Sequence, residues 1–169
     1  MKNTDIDNLY SSLESILKNM GETNPTTYNL LGDLLSRAII IAAVSEFEVR
    51  ITNAIGNMKV DNIKIKELVK MFMARQFWNM FSFNGNRNIN HFLSYFGKDF
   101  EESVSKEIDN NNELKQDLEY FIELAELRNV LSHKGFLITF NIPMTYNESF
   151  DRYKKAKNLV DFMEHKLLE

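Results

Sequence analysis

The stretch from Leu114 to His133, LKQDLEYFIELAELRNVLSH, decides how the rest of the chain is read. Its apolar residues Leu114, Leu118, Phe121, Ile122 and Ala125 recur at spacings of three and four, the stripe of an amphipathic helix. The same rhythm places Arg128, Asn129 and Ser132 next on that face, with His133 at its edge. Core-facing positions seldom go to such groups unless they have partners or a task. A helix C-terminus explains His133 and Lys134, which oppose the dipole, and Gly135, a left-handed cap. It does not explain Arg128 and Asn129 on an apolar face, and that conflict between pattern and chemistry marks the place to look for function.

Outward from this stretch the chain reads as helix after helix. A first helix over 4–20 carries Ile6, Leu9, Leu13, Ile16, Leu17 and Met20 and stops at Gly21. Thr23 to Thr27, with Pro25, reads as a linker. A second helix, from Tyr28 to Ile55, is apolar around more than half its circumference between Leu34 and Val49, which makes it the central, most buried one. Asp61 or Asn62 caps a third, carrying Ile65, Leu68, Val69, Phe72 and Met73 and running toward Trp78 and Phe81. Asn84-Gly85-Asn86 is turn chemistry. A short helix follows from Ile89 to Phe96, ended by Gly97, and Asp99 to Glu107 adds a turn or two. After the polar break at Asp109–Asn112 the motif helix runs from Glu113 to His133 or Lys134. Phe136 to Tyr146 is a loop, extended at Leu137–Phe140, and the last helix spans Asn147 to Leu168. The expected fold is all-α: a single-domain helical bundle over residues 1–169, with two long central helices and additional shorter ones.

Composition agrees. With 169 residues, six Gly and two Pro, the chain is long enough for one real core and poor in helix breakers. The absence of cysteine excludes disulfides, thiolate metal sites and cysteine nucleophiles. No apolar signal core follows Met1, and the longest apolar run, Ala38 to Val44, is far short of a membrane span. The expectation is a cytoplasmic protein without a membrane partner. A formal net charge of −4 argues against a grip on nucleic acid by broad electrostatics, so any such contact must be local or assembled from more than one chain.

The chemistry of the stretch is that of phosphate and proton. Asn129 and His133 are four apart, as are Arg128 and Ser132, so each pair stacks on adjacent turns. Histidine moves protons near neutral pH, arginine holds a phosphate and stabilises charge building on it, and asparagine orients an imidazole or donates to a phosphate oxygen. These are the parts needed to cut RNA without a metal, with the ribose 2′-OH as internal nucleophile. One helix supplies one set; two-fold pairing of this face supplies two.

An Arg, an Asn and, four residues after the Arg's neighbour, a His late in a helix and followed by Lys134-Gly135-Phe136 resemble the Arg-x4-6-His signature of HEPN domains. Leu35-Ser36-Arg37-Ala38 leading to Phe47-Glu48 resembles the long second helix of the HEPN group associated with RNA-ligase-type and phosphatase-like domains. Asn88 to Phe92 and Phe96 to Phe100 resemble that group's middle segment, so the resemblance spans about residues 30–165. It implies a helical bundle that dimerises and joins two motifs in one cleft. It further implies a metal-independent endoribonuclease acting on single-stranded RNA, in a toxin–antitoxin or antiviral-defence role, with an antitoxin or nucleotidyltransferase partner. Carried over by position, Arg128 and His133 are the catalytic pair, with Asn129, and Ser132 and Glu48 support them. Glu46 rivals Glu48 for the acidic place on the second helix. No cofactor and no metal are implied. The alternative is a non-catalytic HEPN-like module that binds RNA, a nucleotide or a protein; a third reading is a plain scaffold in which Arg128 and His133 satisfy buried carboxylates.

Other features carry plainer readings. The run from Met71 through Phe77, Trp78, Met80, Phe81 and Phe83 reads as core, or else as a partner surface. His91 and His165 lack metal-ligand spacing, and Asp161 with His165 is a pair without a third ligand. Arg152, Lys154, Lys155 and Lys157 form a basic cluster that is either a solvated face or a contact for RNA phosphates. The acidic stretch from Asp99 to Glu126 would repel RNA and suit a basic partner. No Gly-rich phosphate loop or nucleophile elbow appears.

Overall fold

Short polar side chains set where the helices begin. Thr4 and Asp7 cap each other: the Thr4 N–H donates to Asp7 Oδ2 at 2.7 Å, and the Asp7 N–H donates to Thr4 Oγ1 at 3.2 Å. They open α1, Asp5–Gly21. The computed structural model describes residues 4–21, 24–58, 62–81, 89–134 and 141–169, and every regular element among them is helical, as the sequence leads one to expect. The stretches Asn84–Asn86, Phe83, the Gly135 cap and Phe136–Phe140 lie outside the described residues, as does the side chain of Trp78.

Helix α2, Pro25–Asn57, begins three residues before the sequence pattern places it. Pro25 is its first residue, where a missing N–H costs nothing, and Asn24 Oδ1 accepts from the Thr27 N–H at 3.1 Å. What reads as a linker is therefore the first turn. Asn62 caps α3, Ile63–Gln76, by accepting from the Lys64 N–H at 3.0 Å, and a 3-10 turn over Phe77–Met80 follows. After α4, Asn90–Ser94, Gly97 takes φ +100°, a conformation that side chains with a Cβ rarely adopt. Its carbonyl accepts from the Glu101 N–H at 3.0 Å and starts α5, Lys98–Asp109. At 12 residues α5 is longer than the turn or two expected, because Val104 and Ile108 give it a buried edge.

The polar break before the motif helix shrinks to Asn110 and Asn111. Asn111 Oδ1 accepts from the N–H groups of Glu113 and Leu114 at 3.0 and 3.2 Å, opening α6, Asn112–Lys134. A capping box opens α7, Tyr146–Leu168: the Thr145 N–H donates to Glu148 Oε2 at 2.7 Å and the Glu148 N–H to Thr145 Oγ1 at 3.3 Å. The Thr145 N–H, and after it the Thr145 hydroxyl donating to Glu148 Oε2 at 2.9 Å, hold the Glu148 carboxyl below the usual carboxylate range.

Two compact units result, one of Met1–Ser45 and Leu124–Lys154, the other of Glu46–Glu123 and Lys155–Glu169. Helices α2, α6 and α7 each contribute residues to both. In the first unit Ile6, Leu17, Leu35, Ile39, Ile40, Leu124, Leu127 and Leu131 are buried. Tyr10 stacks flat on Phe150 with ring centroids 3.8 Å apart, and Ser36 and Ser149 share a buried hydroxyl bond of 2.6 Å. The second unit is aromatic at its centre. Phe121 meets Phe47 at 5.7 Å and Phe81 at 5.6 Å, and Phe81 stacks on Phe92 at 4.5 Å.

The methionine and aromatic run divides between the two readings. Met73, Phe77, Met80 and Phe81 are core, whereas Leu68, Met71 and Phe72 are exposed on α3. Phe121→Ala should therefore cost about 3–5 kcal/mol, since it empties the ring cluster, while Phe72→Ala should stay within about 0.5 kcal/mol. Chemical denaturation followed by circular dichroism checks both; equal losses would mean that the aromatic centre is misplaced.

Candidate functional site

Helix α6 changes its buried face along its length. In the second unit it buries Leu118, Phe121 and Ile122, the expected stripe; in the first it buries Leu124, Leu127 and Leu131. At 3.6 residues per turn the later face is centred roughly 130° away from the strip formed by Arg128, Asn129, Ser132 and His133. Exposure rises along that strip. Ala125 is buried, Arg128 and Asn129 are half-buried, and Ser132 and His133 are exposed. The sequence reading put Arg128 and Asn129 on core-facing positions. They do continue the apolar stripe, but the core has already turned to the leucines, and the polar strip is released toward solvent.

The strip brings a guanidinium, an amide, a hydroxyl and an imidazole within six consecutive residues of one helix end. That set can hold a phosphate and move one proton. It contains a single imidazole, so one copy cannot serve as separate base and acid in the same step.

The two rivals on α2 part company. Glu46 Oε1 lies 3.8 Å from the Arg50 guanidinium, inside an ion cluster of the second unit. Arg50 Nε also donates to Glu164 Oε1 at 3.1 Å, and its Nη2 to Asp161 and Glu164. Burial works against the charged guanidinium, but the bonds to Glu164 and Asp161 outweigh it and hold Arg50 above its usual value. Glu48, two residues on and half-buried, is on a different side of α2; it belongs to the second unit, Arg128 to the first. The Arg50 cluster is what sequence reasoning missed. Its i,i+4 half with Glu46 is visible in the sequence, but the pairing with α7 is not.

The remaining candidates resolve into local partners. Asp161 is held by Arg50, and His165 Nδ1 sits 3.0 Å from Glu169, so the two do not converge. His91 lies edge-on to Tyr95 at 5.2 Å. No group of three metal-ligating side chains is present among the described residues. In the basic cluster, Lys154 pairs with Asp151 at 2.7 Å over the Phe150 ring, Arg152 reaches the Met144 sulfur at 3.5 Å, and Lys155 is exposed. Within the acidic stretch Asp117 is buried, 3% exposed, and accepts from Asn158 Nδ2 at 3.3 Å. Burial pushes its carboxyl above the usual range, against the pull of that bond and of Lys155. No helix among the described residues is long and apolar enough to cross a membrane.

Residues 4–169 match the family described as RiboL-PSP-HEPN. No curated protein and no solved structure matches the chain.

Removing Arg50 leaves three carboxylates facing one another, and Arg50→Ala should cost about 2–3 kcal/mol, below the fully buried range because solvent reaches the cluster. A melt indistinguishable from wild type would sink this. For Asp117 the raised value means that its ionised form is disfavoured in the fold. Its contribution is present below the unfolded carboxyl value and is lost as pH rises through the folded one. Asp117→Asn should accordingly raise the melting temperature near neutral pH, with the gap closing well below about pH 4; a gap that widens toward acid would contradict the assignment.

Proposed function

The chain belongs to the RiboL-PSP-HEPN family, and from that premise we propose that it is a metal-independent endoribonuclease cleaving single-stranded RNA. In this reading residues 1–169 act as a single domain, two copies pair, and each contributes its α6 strip to a shared cleft. The observation that carries it is the exposure gradient from Ala125 to His133, which turns the motif's polar groups outward while the neighbouring leucines stay buried.

Arg128 neutralises the charge that builds on the phosphorus, and Asn129 donates to a phosphate oxygen or orients the imidazole. His133 of one copy takes the proton from the ribose 2′-OH as its oxygen attacks phosphorus. His133 of the other gives a proton to the departing 5′ oxygen, so a 2′,3′-cyclic phosphate and a 5′-hydroxyl result. Ser132 and Glu48 are supporting residues. A toxin or antiviral-defence role in the cytoplasm, with an antitoxin or nucleotidyltransferase as partner, follows the same family reading.

One observation favours a second reading. The net charge is −4, and α5 with the first half of α6 exposes Asp99, Glu102, Glu107, Asp109, Glu113 and Glu119. A non-catalytic module that grips a basic protein through that surface, or RNA or a nucleotide locally, also accounts for these charges.

Cleavage of single-stranded RNA by the purified protein separates the two. Arg128→Ala and His133→Ala should each lower cutting by about 10²–10⁴-fold, with circular dichroism unchanged and EDTA without effect. Cutting that needs added metal, or that survives both substitutions, would defeat the ribonuclease reading; binding that persists in His133→Ala without any cutting would favour the module.

A further inference from the structure

Between the end of α6 and the start of α7, the segment Asn141–Asn147 forms one wall of a cleft in the first unit, with Tyr28, Asn29, Gly32 and Asp33 of α2 as the other. The cleft has a volume of about 440 Å³, within the range that holds a small organic molecule and well beyond that of a single ion. Among the described residues that line it, Asp33 is the one that carries a charge. Tyr146 stays neutral, because burial and then its hydrogen bond with Tyr28 push its hydroxyl up to about 12. A cleft lined by one carboxylate, itself paired with Arg37, and by no cation among the described residues offers phosphate no anchor and favours a neutral group rich in hydrogen-bond donors.

The carboxylate is held in place. Asp33 Oδ2 accepts from Arg37 Nε at 2.8 Å, and Oδ1 from Arg37 Nη2 at 3.5 Å, while the Asp33 side chain remains 38% exposed. Each oxygen keeps a further lone pair, so the pair can accept two donors side by side. Among the four RNA bases, guanine alone presents two adjacent donors on one edge, N1–H and the N2 amino group. Adenine and cytosine offer one amino group beside an acceptor, and uracil a single N–H flanked by carbonyls. Asn147 Oδ1 already accepts from the Tyr10 hydroxyl at 2.7 Å, and its amide also bonds the Tyr146 hydroxyl, which leaves one N–H as a donor for the guanine O6 and N7 side. Tyr28 adds an aromatic wall for the base plane. Gly32 keeps the floor open: a Cβ there would already stand 3.4 Å from the Tyr146 ring.

We propose that this cleft seats an unpaired guanine base of RNA, read by Asp33 on one edge and Asn147 on the other. The choice of RNA as the source of the base rests on the ribonuclease reading; the base selectivity rests on the cleft.

Equilibrium titration of the full-length chain with GMP, AMP, CMP and UMP tests it without any cleavage. GMP should bind roughly tenfold more tightly than the other three. Asp33→Asn, which puts an amide donor against the guanine donors, should remove that preference. So should Asn147→Asp, which removes the donor but keeps a residue welcome in the first turn of a helix, and this second variant decides the matter if Asp33→Asn disturbs Arg37. GMP bound no better than UMP, or undiminished in Asn147→Asp, would overturn the proposal. Guanine-selective binding lost in the variants, in a protein that cuts no RNA, would leave this cleft standing and remove only the ribonuclease reading.

Discussion

Burial of Leu124, Leu127 and Leu131 sets the rotation of α6 about its own axis in the first unit, and the chemistry of the helix end follows from that rotation. Each leucine taken out of water contributes roughly 1.5–3 kcal/mol, so the three together are worth on the order of 5 kcal/mol. Turning the helix enough to bury Arg128 and Asn129 instead would forfeit that and add the cost of desolvating a guanidinium and an amide. The leucines win, and the polar strip comes out on the other side with Ser132 and His133 exposed. Placing an arginine, an asparagine and a histidine on one side of a helix end is thus a by-product of ordinary core packing, with no positive-φ residue in α6.

Several polar groups elsewhere in the molecule are held in pairs or clusters. The buried hydroxyls of Ser36 and Ser149 bond each other, and Arg37 is neutralised within its own turn by Asp33. Arg50 gathers Glu46, Asp161 and Glu164 around one guanidinium. Against that background the strip at Arg128–His133 stands apart for its steady rise in exposure. The negative formal charge concentrates on α5 and the first half of α6, in the other unit, whereas the strip itself carries Arg128 and no carboxylate. That arrangement suits a local grip on a phosphate backbone rather than broad attraction. Asp33 in the cleft of the first unit extends the same logic, since a carboxylate there, paired with Arg37, still offers acceptors to the donors of a base.

How much was legible in the sequence varied with the range of the interaction. The start of α3 was readable to within one residue, at Asp61 or Asn62, whereas Asn111, read as part of a polar break, caps α6, although each cap is made within three residues. The start of α2 was misread at Pro25, since proline breaks a helix interior but is welcome at its first position. The candidate motif was found from spacing alone, and the family match covers it. The choice between Glu46 and Glu48 was closed to the sequence, because each has a plausible phase on α2; the fold adds that Glu46 lies beside Arg50, whose other partners, Asp161 and Glu164, are more than a hundred residues away.

The amino-acid sequence by itself determined an all-α fold, the family, and the place of the Arg–Asn–His motif late in one helix, because periodicity, caps and motif spacing are all written within a few turns of chain. Tertiary structure alone decided which way that helix faces, that Arg50 pairs with Asp161 and Glu164 of α7, and that Asp33 and Asn147 line one cleft. Those outcomes depend on which apolar face each helix buries and against what, and such a competition is settled only when distant segments pack together.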